Sequence, residues 1–166
     1  MPATPSLPAY RYRRGDSDFT TIPTPASTAI NPGDLIFSNS GVAAVANSFT
    51  WTTDLPTTQG GFRLSFLGVA CDQKVATDAS TAKILVQTKG IFEYPCAALG
   101  AAAHIGASVG PAKDAAGNFL MNQMLAVAPA VTNSIGTLAE EAAVGATSLM
   151  VYLQSFLIFN KVVSAT

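Results

Sequence analysis

Residues Thr81 to Pro111 read TAKILVQTKGIFEYPCAALGAAAHIGASVGP, and this stretch decides the fold class. From Lys83 to Thr88, Ile84 and Val86 share one side of an extended chain, opposed by Gln87 and Lys89. That alternation is the mark of a half-buried strand. Phe92 and Tyr94 keep the same parity beyond Gly90, so Gly90 reads as a kink or bulge within one long strand. After Pro95 the chain enters an Ala/Gly tract almost without charge. Acids, bases and nucleophiles do not cluster there, and the tract reads as a small-residue loop fitted to a neighbour.

The same β signals extend outward. Asp34 to Ser38 (DLIFS) follows the turn Asn31-Pro32-Gly33 and reads as a strand, as do Ser48 to Thr53 (SFTWTT) and Phe62 to Ala70. In the last of these, Phe62, Leu64 and Phe66 share one face. Asp114-Ala115-Ala116-Gly117 has the form of a tight turn. Periodicity leaves Phe119 to Val127 open between strand and short helix. Thr137 to Val144 reads as a passage through a turn. Ser148 to Phe156 is apolar on both sides, with Leu149, Val151 and Leu153 on one and Met150, Tyr152 and Phe156 on the other. Such a strand is either central in a sandwich or barrel, or covered on one side by another subunit. The apolar run continues through Leu157, Ile158 and Phe159, which is a hazard if left bare and is expected to be covered.

The N-terminal segment has a different character. Pro2, Pro5, Pro8, Pro23, Pro25 and Pro32 rule out a continuous helix or a central strand there. The segment reads as an extended, polyproline-like arm lying along a partner, or as a disordered tail when the protein is alone. Arg11 and Arg13 alternate with Tyr10 and Tyr12, and Arg14 follows, so tyrosines would pack on a partner while arginines pair with its carboxylates. The division expected is an arm over 1–32, a β-rich core over 33–156 and an apolar tail over 157–166. The fold class is mainly β, a small barrel or sandwich. Tyr10, Arg11, Tyr12, Arg13, Arg14, Tyr152, Phe156 and Phe159 are the candidate partner-binding residues.

Composition narrows the function. The chain has 166 residues, 49% of them hydrophobic and 11% charged, against a usual charged share of about 25%. So little charge points to apolar surface covered by subunit contacts, and hence to an oligomer. A formal net charge of -1 argues against free nucleic acid as a direct partner, since that binding needs many phosphate-neutralising cations. No secretory leader is read in MPATPSLPAYRYRR. The stretch from Ser148 to Val163 is interrupted by Gln154, Ser155, Asn160 and Lys161. It falls short of the ~18 uninterrupted apolar residues of a membrane span. No membrane partner is expected.

Chemistry-bearing motifs are weak. Gly106-Ala107-Ser108-Val109-Gly110 matches G-x-S-x-G, but that nucleophile elbow belongs to a parallel sheet with flanking helices, and the one histidine, His104, precedes the serine. Cys71, Cys96 and His104 lack a fourth ligand at metal-binding spacing. The cysteines read as two reduced thiols, with a disulfide between them left open. Arg14-Gly15-Asp16 is a short tripeptide read as a turn. No cofactor, metal or catalytic residue is expected.

The order Gly33-Asp34-Leu35-Ile36, then Phe66-Leu67-Gly68-Val69-Ala70, then Val86-Gln87-Thr88-Lys89-Gly90-Ile91-Phe92-Glu93-Tyr94-Pro95 resembles the head decoration, or capsid cement, proteins of tailed bacteriophages. The turn at Asp114 to Asn118 and the run from Ile135 to Leu153 extend the resemblance. It implies a small β-rich, non-enzymatic protein on the outer surface of the virion, made in the host cytoplasm. Its partners would be the major capsid protein and itself, as a homotrimer by preference, with a dimer as the alternative. The competing readings are another virion subunit (a tail tube or head–tail connector) and, more remotely, a small serine hydrolase using Ser108.

Overall fold

The computed structural model describes residues 11–78, 82–127 and 130–159, the first six of them by backbone alone. The protein is mainly β, as the alternation in the sequence requires. Strands β2 (Leu35–Asn39) and β3 (Val42–Val45) form a hairpin, followed by helix α1 (Leu55–Ser65) and strand β4 (Phe66–Ala70). Strand β5 (Lys83–Pro95) is thirteen residues long. Strands β6 (Ser108–Lys113), β7 (Leu120–Val127), β8 (Gly136–Leu138) and β9 (Ser148–Gln154) precede the short helix α2 (Phe156–Phe159). They join in the order β3-β2-β4-β5-β9-β8-β6-β7, a nearly closed antiparallel barrel. Strand β1 (Arg11–Pro23) pairs with β5 off this path.

Strand β5 organises everything else. A strand has two edges, and β1 runs along one of them from Glu93 to Lys83. The other edge is shared in succession. Strand β4 takes it at Val86 and Gln87, and β9 takes it from Lys89 to Pro95. The fork falls at Thr88. Phe19 lies opposite Gln87 and Asp18 opposite Lys89, so Thr88 is an extra residue in the ladder, a β-bulge. One extra residue exchanges the two faces of everything beyond it. Before the bulge, Ile84 and Val86 enter a core with Ile22, Ile30, Ile36, Leu67 and Ala70. After it, Phe92 and Tyr94 enter the barrel interior with Leu125, Leu138, Leu149 and Val151. The parity carried across Gly90 is therefore real, but the bulge sits at Thr88 and the two halves serve different cores.

Hydrogen bonds hold the fork. The Thr88 hydroxyl donates to the Asp18 carbonyl at 3.1 Å. The Thr88 carbonyl accepts the Ser155 N–H at 2.7 Å. The fully buried Ser155 hydroxyl donates to the Phe66 carbonyl at 2.9 Å, tying the end of β9 to the start of β4. A buried polar side chain placed between two diverging strands is stable only because both its groups are satisfied.

Several elements differ from the sequence reading. Phe62 to Ala70 is not one strand; α1 ends at Ser65 and β4 begins at Phe66. The Asp54 carboxylate caps α1 by accepting the Thr57 N–H at 2.8 Å, and Pro56 sits in the first turn. Phe62 and Phe66 are both fully buried, whereas Leu64 is exposed. A spacing of four residues on one helical face had imitated the spacing of two on a strand. Ser48 to Thr53 is not a strand; Ser48 ends a 3-10 turn (Ala46–Ser48) and the chain that follows is irregular, with Phe49 and Trp51 still packed on the core. Phe119 to Val127 resolves as strand β7. The final apolar strand stops at Gln154, and Phe156 belongs to α2.

The arm and the core also divide differently. Residues Arg11 to Pro23 lie in the sheet, and Ile22 and Ile30 are buried in the second core. The globular unit thus takes in part of the segment that the prolines mark as an arm. The prolines remain compatible with this position because β1 lies outside the main strand order. The Ala/Gly tract finds its partner within the chain. Ala103 and Ala142 exchange N–H···O bonds of 2.8 and 2.9 Å, and the Gly145 N–H donates to the Leu99 carbonyl at 2.8 Å.

Candidate interaction surfaces

Two surface features stand out, one at α2 and one at the seam where the barrel fails to close. Their chemistry follows from which strands meet there.

At α2, the chain leaves β9 and turns back over α1 and β4. The Arg63 guanidinium lies 4.1 Å from the centre of the Phe156 ring, a cation–π contact. The Lys89 ammonium lies 5.3 Å from the centre of the Phe159 ring and 3.0 Å from the Asp18 carboxylate. Arg63, Tyr152, Gln154 and Phe156 line a hollow of about 250 Å³ with residues of β8. The Tyr152 hydroxyl donates to the Gln154 side-chain carbonyl at 3.2 Å. Ile158, Phe159 and Leu64 remain exposed. Tyr152 and Phe156, named from sequence as partner-binding residues, are thus brought together, with Arg63 as a third member. Nothing in the sequence flagged Arg63, because its role depends on α1, which periodicity had read as strand.

Arg11, Tyr12, Arg13 and Arg14 belong to β1, where Arg11 lies opposite Glu93 and Tyr12 opposite Phe92. Four β1 steps, from Arg14 to Asp18, span only Ile91 to Lys89 on β5, so Gly15 to Ser17 bulge out of the ladder. The Arg14-Gly15-Asp16 sequence falls there. Tyr10 lies outside the described residues.

At the seam, β7 faces the start of β2 without a continuous ladder. Side chains bridge the gap instead. The Gln123 amide donates to Asp34 at 3.0 Å, and the Asn47 N–H donates to the Asn122 side-chain carbonyl at 2.8 Å. A groove of about 640 Å³ runs along β7, lined by Phe119, Met121 and Met124 and by Asn31, Asp34 and Asn122. The expected turn at Asp114 shapes its end: the Gly117 N–H donates to the Asp114 carbonyl at 3.0 Å, and the Asp114 carboxylate accepts the Asn118 N–H at 2.9 Å.

Asp34 is almost wholly buried, and burial pushes its carboxyl above the ordinary carboxylate range. Hydrogen bonds from the Asn31 N–H and the Gln123 amide act in the opposite direction and offset only part of it. A carboxyl raised in the folded state binds its proton more tightly there than in the unfolded chain. Its stabilising contribution is therefore full at low pH and is lost as pH rises through the folded value. Asp34→Asn should leave stability at neutral pH unchanged or higher than wild type, with the gap closing toward about pH 4. Urea denaturation at both pH values checks this; a greater loss at neutral pH than in acid would contradict it.

The remaining candidates stay apart. Ser108 opens β6 opposite Thr137 and is not set between a strand and a helix, as an elbow would require. His104 is exposed, with Nδ1 3.8 Å from a Glu141 carboxylate oxygen. Cys96 is buried, its Sγ 3.5 Å from the Ala146 carbonyl, and burial pushes its thiol up. The two cysteines are not bonded to each other. Among the described residues, no group of three His, Cys, Asp or Glu side chains is placed to hold a metal ion, and no helix is long and apolar enough to cross a membrane. No protein-family model matches the chain, and no curated protein matches its sequence.

Proposed function

We propose that this is a structural virion protein that binds the outside of a phage capsid and clamps neighbouring major capsid protein subunits. The observation that carries the reading is the ordered set Gly33 to Ile36, Phe66 to Ala70 and Val86 to Pro95, which resembles the capsid decoration proteins. These three segments contribute to β2, β4 and β5, which are consecutive neighbours in the sheet. The composition and the exposed apolar residues about α2 support the same reading. Tyr152, Phe156 and Phe159 offer aromatic contact area. Arg63 and Lys89 lie over two of those rings and offer charge at their margin.

The protein acts by fitting surfaces, with no catalysis and no cofactor. A homotrimer would engage several capsid subunits at once, and each contact after the first would be made at high effective concentration. Modest individual interfaces then suffice. Cryo-electron microscopy of the assembled particle tests the proposal. The expected result is density for this chain on the outer capsid surface at contacts between major capsid subunits. Its absence there, or its presence in a tail tube or connector ring, would overturn the assignment.

A further inference from the structure

We propose that the hollow between α2 and the outer face of β8 and β9 is a binding site for one carboxylate, supplied by an acidic side chain of a partner protein. This goes beyond the capsid reading and does not depend on it.

The sheet sets out the floor of the site. Thr137 of β8 lies opposite Tyr152 of β9, so their side chains stand side by side on one face. Gln154, two residues along β9, shares that face. Leu138, Val151 and Leu153 point the other way, into the barrel core, so the Thr137 face is the outer one. Arg63, at the C-terminal end of α1, and Phe156 of α2 complete a hollow of about 250 Å³.

Its chemistry is one-sided. Arg63 supplies its charge, and among the described residues no acidic side chain lines it. Arg63 is half-buried and has no carboxylate partner among the described residues. The Phe156 ring centre, 4.1 Å from the guanidinium carbon, holds the group in place. A cation–π contact fixes a guanidinium without satisfying its fork of N–H donors. The polar neighbours are donors too. The Tyr152 hydroxyl donates to the Gln154 side-chain carbonyl at 3.2 Å, which occupies that end of the amide and leaves its amino group to donate. The Thr137 hydroxyl donates as readily. Ser134 is already committed, its hydroxyl donating to the Val131 carbonyl at 3.0 Å.

These donors select the ligand. One guanidinium with two neutral donors balances a single negative charge, and its planar fork matches the two oxygens of a carboxylate. A phosphate dianion calls for a second cation, and Lys89, which lies opposite Gln154, is paired with Asp18 at 3.0 Å. The surroundings select the source. Leu64 follows Arg63 in α1, Ile158 and Phe159 follow Phe156 in α2, and all three are exposed. Apolar side chains about a charged site are what a protein partner covers. A free carboxylate would leave them in water.

Titration of the full chain with the blocked pentapeptide acetyl-Ala-Leu-Glu-Leu-Ala-amide, followed through the NMR signals of the Arg63 Nε–H and the Gln154 side-chain amide, tests this. Both signals should shift and saturate, with half-saturation at about 1 mM. The same peptide with Gln in place of Glu should bind about tenfold more weakly. Free glutarate, which brings the carboxylate without the leucines, should also bind about tenfold more weakly. Arg63→Gln should weaken the Glu peptide about tenfold, read at Gln154, while the circular dichroism spectrum stays unchanged. Thr137→Val, isosteric and outside the helix, should weaken it in the same direction and serves where Arg63→Gln disturbs α1. Equal binding of the two peptides would overturn the carboxylate, and glutarate binding as tightly as the Glu peptide would overturn a protein source. Shifts that are absent, confined to other residues or indifferent to both variants would overturn the site itself.

Discussion

Phe62→Ala is expected to be the most damaging single truncation in this protein. Phe62 is fully buried at the heart of an aromatic cluster. Its ring centre lies 5.7 Å from that of Phe37, 5.4 Å from Phe49 and 5.7 Å from Phe66. Two of these pairs are edge-to-face, an arrangement worth more than the buried area alone. The four residues come from β2, the irregular chain after β3, α1 and β4, so one side chain joins the helix to the sheet. Removing it leaves a cavity lined by rings that cannot collapse together without moving α1. The expected loss is about 3–5 kcal/mol of unfolding free energy, read as a lower urea midpoint with an unchanged slope. Leu64→Ala, two residues along on the exposed face of the same helix, serves as the control and should cost far less. Equal losses would refute the placement of α1.

Gly68→Ala should rival it by a different mechanism. Gly68 has φ of 153°, and a Cβ there would fall 2.2 Å from the Gln87 carbonyl oxygen. That oxygen belongs to the backbone of β5, so no rotamer change relieves the clash. Strand β4 would have to withdraw from β5 just where the fork opens, breaking the pairing of Val69 with Gln87. Overpacking ordinarily costs about 1–3 kcal/mol, and backbone strain at a disfavoured φ adds about 1–3 more. Thermal unfolding of the variant checks the sum. A melting point within error of wild type would show that β4 and β5 do not approach so closely.

The sequence disclosed those parts of this fold in which one face meets one core. Strand β9 was legible for that reason, with Leu149, Val151 and Leu153 in one core. The DLIFS segment was legible from its preceding turn and β-forming residues, although Leu35 and Phe37 serve one core and Ile36 the other. Strand β5 was legible as a strand but not as a fork. Ile84, Val86, Phe92 and Tyr94 share a parity, and nothing in one chain's sequence tells that the first two serve a different core from the last two. Helix α1 was hidden because Phe62, Leu64 and Phe66 alternate as a strand would, and because Gly60 and Gly61 are poor helix formers. Within the fold they allow close approach: a Cβ on Gly60 would lie 3.1 Å from the Asn133 side chain, and one on Gly61 would lie 3.4 Å from the Phe49 ring. The signals that mark the start of α1, Asp54 as cap and Pro56 in the first turn, are present in the sequence.

The surfaces follow the same logic. Tyr152 and Phe156 were visible as apolar residues in a two-sided strand. Their meeting with Arg63 required the turn into α2. The seam groove was invisible, because Asn31, Asp34 and Asn47 are separated from Phe119 to Met124 by roughly half the chain. Only the near-closure of the barrel brings them together.

Because β5 is common to both hydrophobic clusters, neither has a boundary at which it could come apart alone. Opening the outer cluster strips β1 and β4 from the very strand that β9 needs in order to pair. The Thr88 bulge therefore acts as a thermodynamic coupling between two halves that a pair of independent sheets would lack. The chain should melt as a single cooperative unit, with the slowest-exchanging amides concentrated in the middle of β5.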